Sequence, residues 1–207
     1  MSPQKEMVRV MRDVYGLDAP DVFDAMLQVP RERFVDDKHK HLAYFDTAIP
    51  IGHEQTISQP FTVAFMTNLL DLTGDEKVLE VGTGSGYQAA VLAELSKDVF
   101  TIEVNPKLAK KAKVVLNKLN YKNIKIKTGN GNNGWKKYAP FQRIIITAAV
   151  EKEVPKALFE QLGEGGVLVS PVGKTENQIM TKYVKKNKTL QKSEHGKFVF
   201  VSFKEDS

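Results

Sequence analysis

Apolar residues recur at helical spacing in the first part of the chain and at strand spacing, broken by glycine turns, in the rest. Met7, Val10, Met11 and Val14 lie three or four positions apart behind Ser2-Pro3, an N-cap and a first-turn proline, and Gly16 is the natural stop. Val22, Phe23, Met26 and Leu27 form one face of a second short helix after Ala19-Pro20. It ends before Pro30, because proline disfavours helical geometry in the residue ahead of it. From Tyr44 to Pro60 apolar residues mix with Gly, Pro, Thr and Ser, which predicts a loop laid over another surface. Phe61 to Leu70 is apolar nearly all round and predicts a buried helix.

After Gly74-Asp75 the pattern becomes strand, turn, helix, repeated. Lys77 to Val81 reads as a strand entering Gly82-Thr83-Gly84-Ser85-Gly86, and Tyr87 to Leu95 as the helix that follows. Val99 to Val104 is a second strand, followed beyond Pro106 by a helix with Leu108, Ala112, Val115, Leu116 and Leu119 on one face. Ile124 to Thr128 is a third. Ile144-Ile145-Ile146 is the continuous apolar run of a parallel strand buried on both faces, with a helix near Pro155 to Leu162 after it. Gly165-Gly166 leads into Val167 to Val169, and Gln178 to Val184 and Phe198 to Phe203 alternate like antiparallel strands around Lys185 to Lys188. These elements predict a single α/β domain with a doubly wound sheet: residues 1–74 a helical N-terminal extension and loop, 75–173 the α/β core, 174–207 antiparallel C-terminal edge strands.

Composition narrows the class. A chain of 207 residues, 42% hydrophobic and 27% charged, can bury roughly 70% of its unfolded surface around one core. No apolar run approaches the roughly 20 residues that cross a bilayer. The first residues, with Glu6 and Asp13 and no apolar stretch, do not read as a signal or transit peptide. With zero cysteines the expectation is a cytoplasmic monomer without disulfides or membrane contact. The formal charge is +5, and eight lysines with no acid fall between Asn105 and Lys127. Lacking interleaved aromatics or arginine, they predict a solvated face and no specific nucleic-acid partner. His39 and His41 lack the companions of a metal site, and Trp135 reads as a structural aromatic.

Strand, glycine turn and helix together let backbone approach a ligand while a helix N-terminus faces it. A dinucleotide fingerprint would place its third glycine where this chain has Tyr87, which argues against a nicotinamide cofactor. The spacing Glu80-x-Gly82-x-Gly84-x-Gly86 instead resembles the first motif of the S-adenosylmethionine (SAM) methyltransferases. Glu103 ends the next strand, 21 residues beyond Gly82, where a carboxylate accepts both hydroxyls of a ribose.

Ile49-Pro-Ile-Gly-His-Glu-Gln-Thr-Ile-Ser-Gln-Pro60 makes the resemblance specific: it is similar to the signature loop of the protein-L-isoaspartate O-methyltransferases. Further matches follow in order at Val29-Pro-Arg-Glu-Arg-Phe34, Val78 to Tyr87, Ala139-Pro-Phe141, Ile144 to Ala149 and Gly165 to Gly173. The resemblance implies a Rossmann-like SAM-dependent methyltransferase fold, with SAM as methyl donor and S-adenosylhomocysteine as product. It implies isoaspartyl-containing peptides and proteins as partners, methylated on the misplaced carboxylate at the start of repair. It further implies that Glu80 and Gly82, Thr83, Gly84, Ser85 and Gly86 surround the methionine end of SAM, and that Glu103 and Val104 hold the ribose. Gly129-Asn130-Gly131 would lie beside the adenine. Ser58 would orient the acceptor, with Ile57 touching donor and acceptor, and Thr56 and His53 on the substrate side. Four positions depart from the family pattern: Asn130 for Asp, Gln142 for Asp, Glu54 for Gly and Phe200 for Pro. Two other readings stay open at this stage, a carboxyl methyltransferase for a different peptide or small molecule, and a SAM- or S-adenosylhomocysteine-binding protein without turnover.

Overall fold

A computed structural model of the chain describes residues 1–174 and 177–203. Helix α1, Pro3–Arg9, opens with the Ser2 hydroxyl accepting from the Lys5 amide and passes into a π-helical turn over Val10–Val14 before Gly16 at φ +67°. Helix α2, Pro20–Gln28, buries Val22, Phe23, Ala25 and Met26, and 3-10 turns follow at Arg31–Phe34 and Asp37–Leu42. The segment expected to be a loop contains a small hairpin instead, β1 (Ile49–Gly52) with β2 (Gln55–Ile57) antiparallel. Its cause is local. Ile49, Ile51 and Ile57 are buried on one face, and His53 and Glu54, at φ 53° and 59°, make the two-residue turn with both angles positive that suits the twist of a hairpin. Helix α3, Pro60–Leu69, then packs inward.

The core alternates as the sequence predicts: β3 (Lys77–Val81), α4 (Tyr87–Leu95), β4 (Asp98–Glu103), α5 (Pro106–Lys118), β5 (Ile124–Thr128), β6 (Phe141–Ile146), α6 (Lys156–Gln161) and β7 (Leu162–Val172). Two further strands follow, β8 (Gln178–Lys186) and β9 (Thr189–Phe198). The sheet order is β5-β4-β3-β6-β7-β8-β9, parallel through β7 and antiparallel beyond it. Successive strand residues serve opposite faces. Val78, Val99 and Ile145 pack with Met66 of α3, with Leu70 just after it and with Leu92 of α4, while Leu79, Phe100 and Ile144 pack with Leu158 of α6 and with Trp135 and Tyr138. Because β3 leads to β4 on one side and has β6 on the other, the crevice of this doubly wound sheet opens beyond the C-terminal end of β3.

The last strand differs from the expectation. Lys185 to Lys188 do form the turn of a hairpin, with Asn187 and Lys188 at φ 52° and 60°, but the returning strand is Thr189–Phe198 and not Phe198 to Phe203. Phe198 pairs with Gln178, the first residue of β8, so residues 199–203 lie beyond the end of that strand. The Gln178 side chain substitutes for one residue, accepting from the Phe200 amide at 2.5 Å and donating to the Phe200 carbonyl at 3.0 Å. Residues 201–203 then cross the ends of the parallel strands, tied to Ala149 by hydrogen bonds of 2.8 and 2.9 Å.

The lysine-rich face also differs in one respect. Lys107, Lys110, Lys111, Lys113 and Lys118 are exposed on α5, but Lys125 lies 4.9 Å from the Phe100 ring centroid and 5.4 Å from that of Tyr138, and Lys127 lies 5.8 Å from that of Trp135. Aromatics distant in sequence therefore do interleave with the lysines of β5. Among the described residues no helix is long and apolar enough to cross a membrane, and no three His, Cys, Asp or Glu side chains converge on a metal position.

Candidate active site

At the crevice the chain leaves β3 in a turn whose glycines take positive φ, +102° at Gly82, +52° at Gly84 and +91° at Gly86. The turn is pinned to the neighbouring strand by Gly82 N to Ile102 O, 2.8 Å, and closed by Gly86 N to Thr83 O, 2.8 Å. Glu103, 6% exposed at the end of β4, fixes both its flanks. Its Oε2 accepts from Gly84 N at 2.8 Å and its Oε1 from Asn105 N at 3.0 Å. Asn105 caps α5 through its own side-chain oxygen, which accepts from the Lys107 and Leu108 amides. The carboxylate thus links the glycine turn to the start of the next helix while facing the cavity.

One cavity collects most of the expected site residues. His53, Thr56, Ile57, Ser58, Gly82, Thr83, Gly84, Ser85, Glu103, Val104 and Gly131 all line it. Glu80, Gly86 and Asn130 do not. Gly86 is a packing glycine: a Cβ there would stand 3.3 Å from the Ala112 Cβ and 3.2 Å from a Leu116 methyl, so it seats α4 against α5. The Asn130 side-chain oxygen accepts from the Asn132 amide at 2.8 Å and caps the 3-10 turn Gly131–Asn133, which leaves Gly131 as the member of that motif that faces the cavity. There is no room for a side chain at Gly131, where a Cβ would lie 2.3 Å from Val81 Cγ1.

Glu80 lies wholly buried beneath the turn. Thr101 Oγ1 donates to its Oε2 at 2.5 Å, and the same hydroxyl is 2.6 Å from that of Thr83, so a line of hydroxyls connects the buried carboxyl to the cavity wall. Its Oε1 has no hydrogen-bond partner. Burial pushes this carboxyl from its ordinary 4.5 up to about 8, opposed by the Thr101 hydrogen bond and reinforced by the charge of Glu103. Its stabilising contribution is therefore complete below the ordinary value near 4.5 and lost as pH rises through about 8. Glu80→Gln removes that loss. The variant should match wild type at pH 5 and gain on it by roughly 2–4 kcal/mol at pH 8.5 in urea unfolding. Parallel pH profiles for the two proteins would contradict the assignment.

Sequence reasoning did not single out several cavity residues. Val63 and Met66 come from α3, Thr147 and Ala148 follow β6, and Val201, Ser202 and Phe203 come from the tail. Thr147 had a signal, since it sits in the matched run Ile144 to Ala149. Its Oγ1 donates to the Gly82 carbonyl at 2.6 Å and holds the turn from the β6 side. The tail had none, being read as a strand.

These features fit the donor that the sequence resemblance implies. A carboxylate faces the cavity at the strand end where the resemblance places the ribose, two glycines leave no space for a side chain, and a buried carboxyl keeps one oxygen unpartnered beneath the turn. Ser58, half-buried, lines the cavity from the segment after β2, with His53 and Thr56, both exposed, lining it too.

Comparison with known proteins bears on the same question. The sequence profile of the family described as Protein-L-isoaspartate(D-aspartate) O-methyltransferase matches residues 2–207. The chain is 47% identical over 201 residues to a protein-L-isoaspartate O-methyltransferase of Dictyoglomus turgidum, covering 97% of this chain and 90% of that one. It is 56% identical over 170 residues to protein-L-isoaspartate O-methyltransferase 2 of Shewanella sediminis, covering 82% and 69%. A solved structure described as a putative protein-L-isoaspartate O-methyltransferase from Plasmodium falciparum in complex with S-adenosyl-L-homocysteine superimposes with a TM-score of 0.86 at 26% identity, covering 100% of both chains.

Proposed function

The chain belongs to the protein-L-isoaspartate O-methyltransferase family, and from that premise we propose how its residues divide the work. It is a SAM-dependent methyltransferase acting on L-isoaspartyl residues of proteins. When bound, SAM supplies a methyl group on positively charged sulfur, and its transfer to a carboxylate oxygen leaves a neutral ester and a neutral thioether. Both reacting groups are already activated, so the protein needs no base. Its contribution is alignment and the exclusion of water from charges that disappear in the transition state.

In this reading Glu103 accepts the ribose hydroxyls, the backbone of Gly82 to Ser85 borders the methionine end, and Gly131 borders the adenine. The cavity wall these residues form supports that division. Glu80, Gly86 and Asn130 act from behind the wall. Ser58 orients the acceptor carboxylate, with Ile57 at the meeting of donor and acceptor and Thr56 and His53 on the peptide side. The single observation that carries the reading is that Ser58 and Glu103, from opposite ends of the chain's two motifs, line one cavity. Zero cysteines suit a protein that works in the cytoplasm, and we take it to act as a monomer without a specific nucleic-acid partner.

The departures from the family pattern have local explanations in two places. Gln142 Oε1 accepts from the Lys77 amide at 2.9 Å, and Phe200 uses the amide hydrogen that a proline would lack. A methyl-transfer assay on paired peptides, one isoaspartyl and one with a normal aspartyl residue, tests the reading. Methylation of the first alone is expected. Methylation of neither, with donor still bound, would mean a binding protein without turnover, and equal methylation would mean another acceptor class. In the same assay Ser58→Ala should keep donor affinity and lose about tenfold to a thousandfold in turnover. A serine nucleophile would have to pass through a stable methyl ether, so no methylated protein should accumulate. Label trapped on the protein, or wild-type turnover, would refute the orienting role.

A further inference from the structure

Arg31 lies in the matched motif Val29 to Phe34, is wholly buried, and has no part in the division of work above. Its Nε donates to the Ala43 carbonyl at 2.8 Å and its Nη2 to the Ser58 carbonyl at 2.7 Å. The guanidinium carbon sits 4.6 Å from the centroid of the Tyr87 ring. Ser58 and Tyr87 both line the cavity, so this cation stands directly behind two of its walls. Nη1 is buried without a well-aligned hydrogen bond, and so is the Tyr87 hydroxyl, though burial, which works against the guanidinium's charge, is partly offset by that neighbouring hydroxyl.

Among the described residues no carboxylate pairs with Arg31. Asp46 acts on it electrostatically, but that carboxylate is engaged at the start of α3, accepting from the Phe61 amide at 2.8 Å and from Gln59 Nε2 at 3.4 Å. Glu32, whose charge reaches Tyr87, accepts the Tyr44 hydroxyl. Taking a guanidinium out of water without a countercharge is costly. A staple between two loop carbonyls would not need a full charge. A buried cation faced by a tyrosine that burial keeps neutral, with the Asp46 carboxylate held at the start of α3, suits a site whose countercharge arrives with the substrate.

We propose that Arg31 is a positioning residue for the acceptor: it fixes Ser58 through its carbonyl and, as a buried cation without a carboxylate partner behind Ser58 and Tyr87, selects a carboxylate over the neutral ester it becomes. The inference rests on the reading that Ser58 faces the acceptor. Its consequence follows from the charge change. The acceptor's negative charge is lost as the methyl arrives, so a nearby cation favours bound substrate over the transition state and acts on KM more than on kcat. The same cation offers nothing to the neutral ester, which favours release of product.

The test compares two ligands on the protein loaded with S-adenosylhomocysteine: a synthetic isoaspartyl peptide and its isoasparaginyl amide, a neutral isostere. Wild type should bind the acid at least about tenfold tighter than the amide. Arg31→Lys keeps the charge and loses the fork, so it should weaken both ligands and preserve most of the ratio. Arg31→Met should bring the ratio near one and raise KM more than it lowers kcat. A purely structural role predicts that Met weakens acid and amide alike, and an unchanged ratio in Arg31→Met overturns the inference. If Arg31→Met does not fold, salt decides with wild type alone. A buried charge is little screened, so the ratio should persist between about 0.02 and 0.3 M salt, whereas a ratio that collapses would assign selectivity to surface lysines and refute a role for Arg31. Wild type that methylates neither peptide would instead sink the functional reading, and wild type that methylates the isoaspartyl peptide while Arg31→Met keeps the ratio would sink only this inference.

Discussion

Glu103→Ala should lower affinity for S-adenosylhomocysteine by roughly 2–4 kcal/mol, about 30- to 700-fold, the scale of losing hydrogen bonds to a charged group and leaving their partners unmade. Two losses combine. In the proposed donor site the ribose hydroxyls would lose their acceptor, and the amides of Gly84 and Asn105, held at 2.8 and 3.0 Å, would be released at once. The glycine turn and the start of α5 are then free to separate, so the cavity loses shape as well as charge. Glu103→Gln separates the two contributions incompletely but usefully. Its amide oxygen can replace one of the two acceptors, while its NH2 faces the other backbone N–H and repels it. The glutamine variant should therefore bind between wild type and alanine. NAD should bind none of the three, since Tyr87 stands where its fingerprint needs a glycine. Isothermal calorimetry checks all of this, and an alanine variant with wild-type affinity would remove Glu103 from the donor site.

The core and its ligand edge were legible in the sequence for a physical reason. Strands buried on both faces must be apolar at every position, as Ile144-Ile145-Ile146 is, and a backbone that turns with successive positive φ needs glycine where Gly82, Gly84 and Gly86 stand. Where a strand buries few residues or is held by partners distant in sequence, the pattern misled. The β1–β2 hairpin buries only Ile49, Ile51 and Ile57, and Pro50 with a His-Glu turn disguises the alternation. Strand β9 is an exposed edge of Gln191, Lys192, Ser193 and Glu194, so nothing in its hydropathy marks it. Phe198 and Phe200 imitate strand alternation, yet Phe198 packs its ring 5.2 Å from Phe65 and Phe200 is held by a glutamine side chain. Arg31 gave no sign of burial, because an arginine flanked by Glu32 and Arg33 reads as surface until the carbonyls of Ala43 and Ser58 are seen to close over it.

Gly82→Ala should destabilise the fold by roughly 2–5 kcal/mol and reduce donor binding at least about tenfold, the combined scale of a strained backbone and an overpacked site. At φ +102° an L-residue is strained wherever its side chain points. In addition, its Cβ would lie 2.4 Å from Thr147 Oγ1. That oxygen cannot yield cheaply: it donates to the Gly82 carbonyl at 2.6 Å, and threonine is stiff about χ1. The turn must therefore move, and the cavity wall proposed to border the donor moves with it. Gly84→Ala is the internal control. Its φ of +52° is the left-handed region that other residues do visit, and the nearest atom to a Cβ there is Ile51 Cδ1 at 3.7 Å, an ordinary contact. That variant should lose only about 1 kcal/mol. The double change Gly82→Ala with Thr147→Ala removes the overlap and leaves the strain, so it should recover part of the stability and little of the binding. Urea unfolding with calorimetry on the three variants separates these contributions. Equal losses at Gly82 and Gly84 would mean that backbone freedom alone sets the cost, and full recovery in the double variant would mean that the contact with Thr147 alone does.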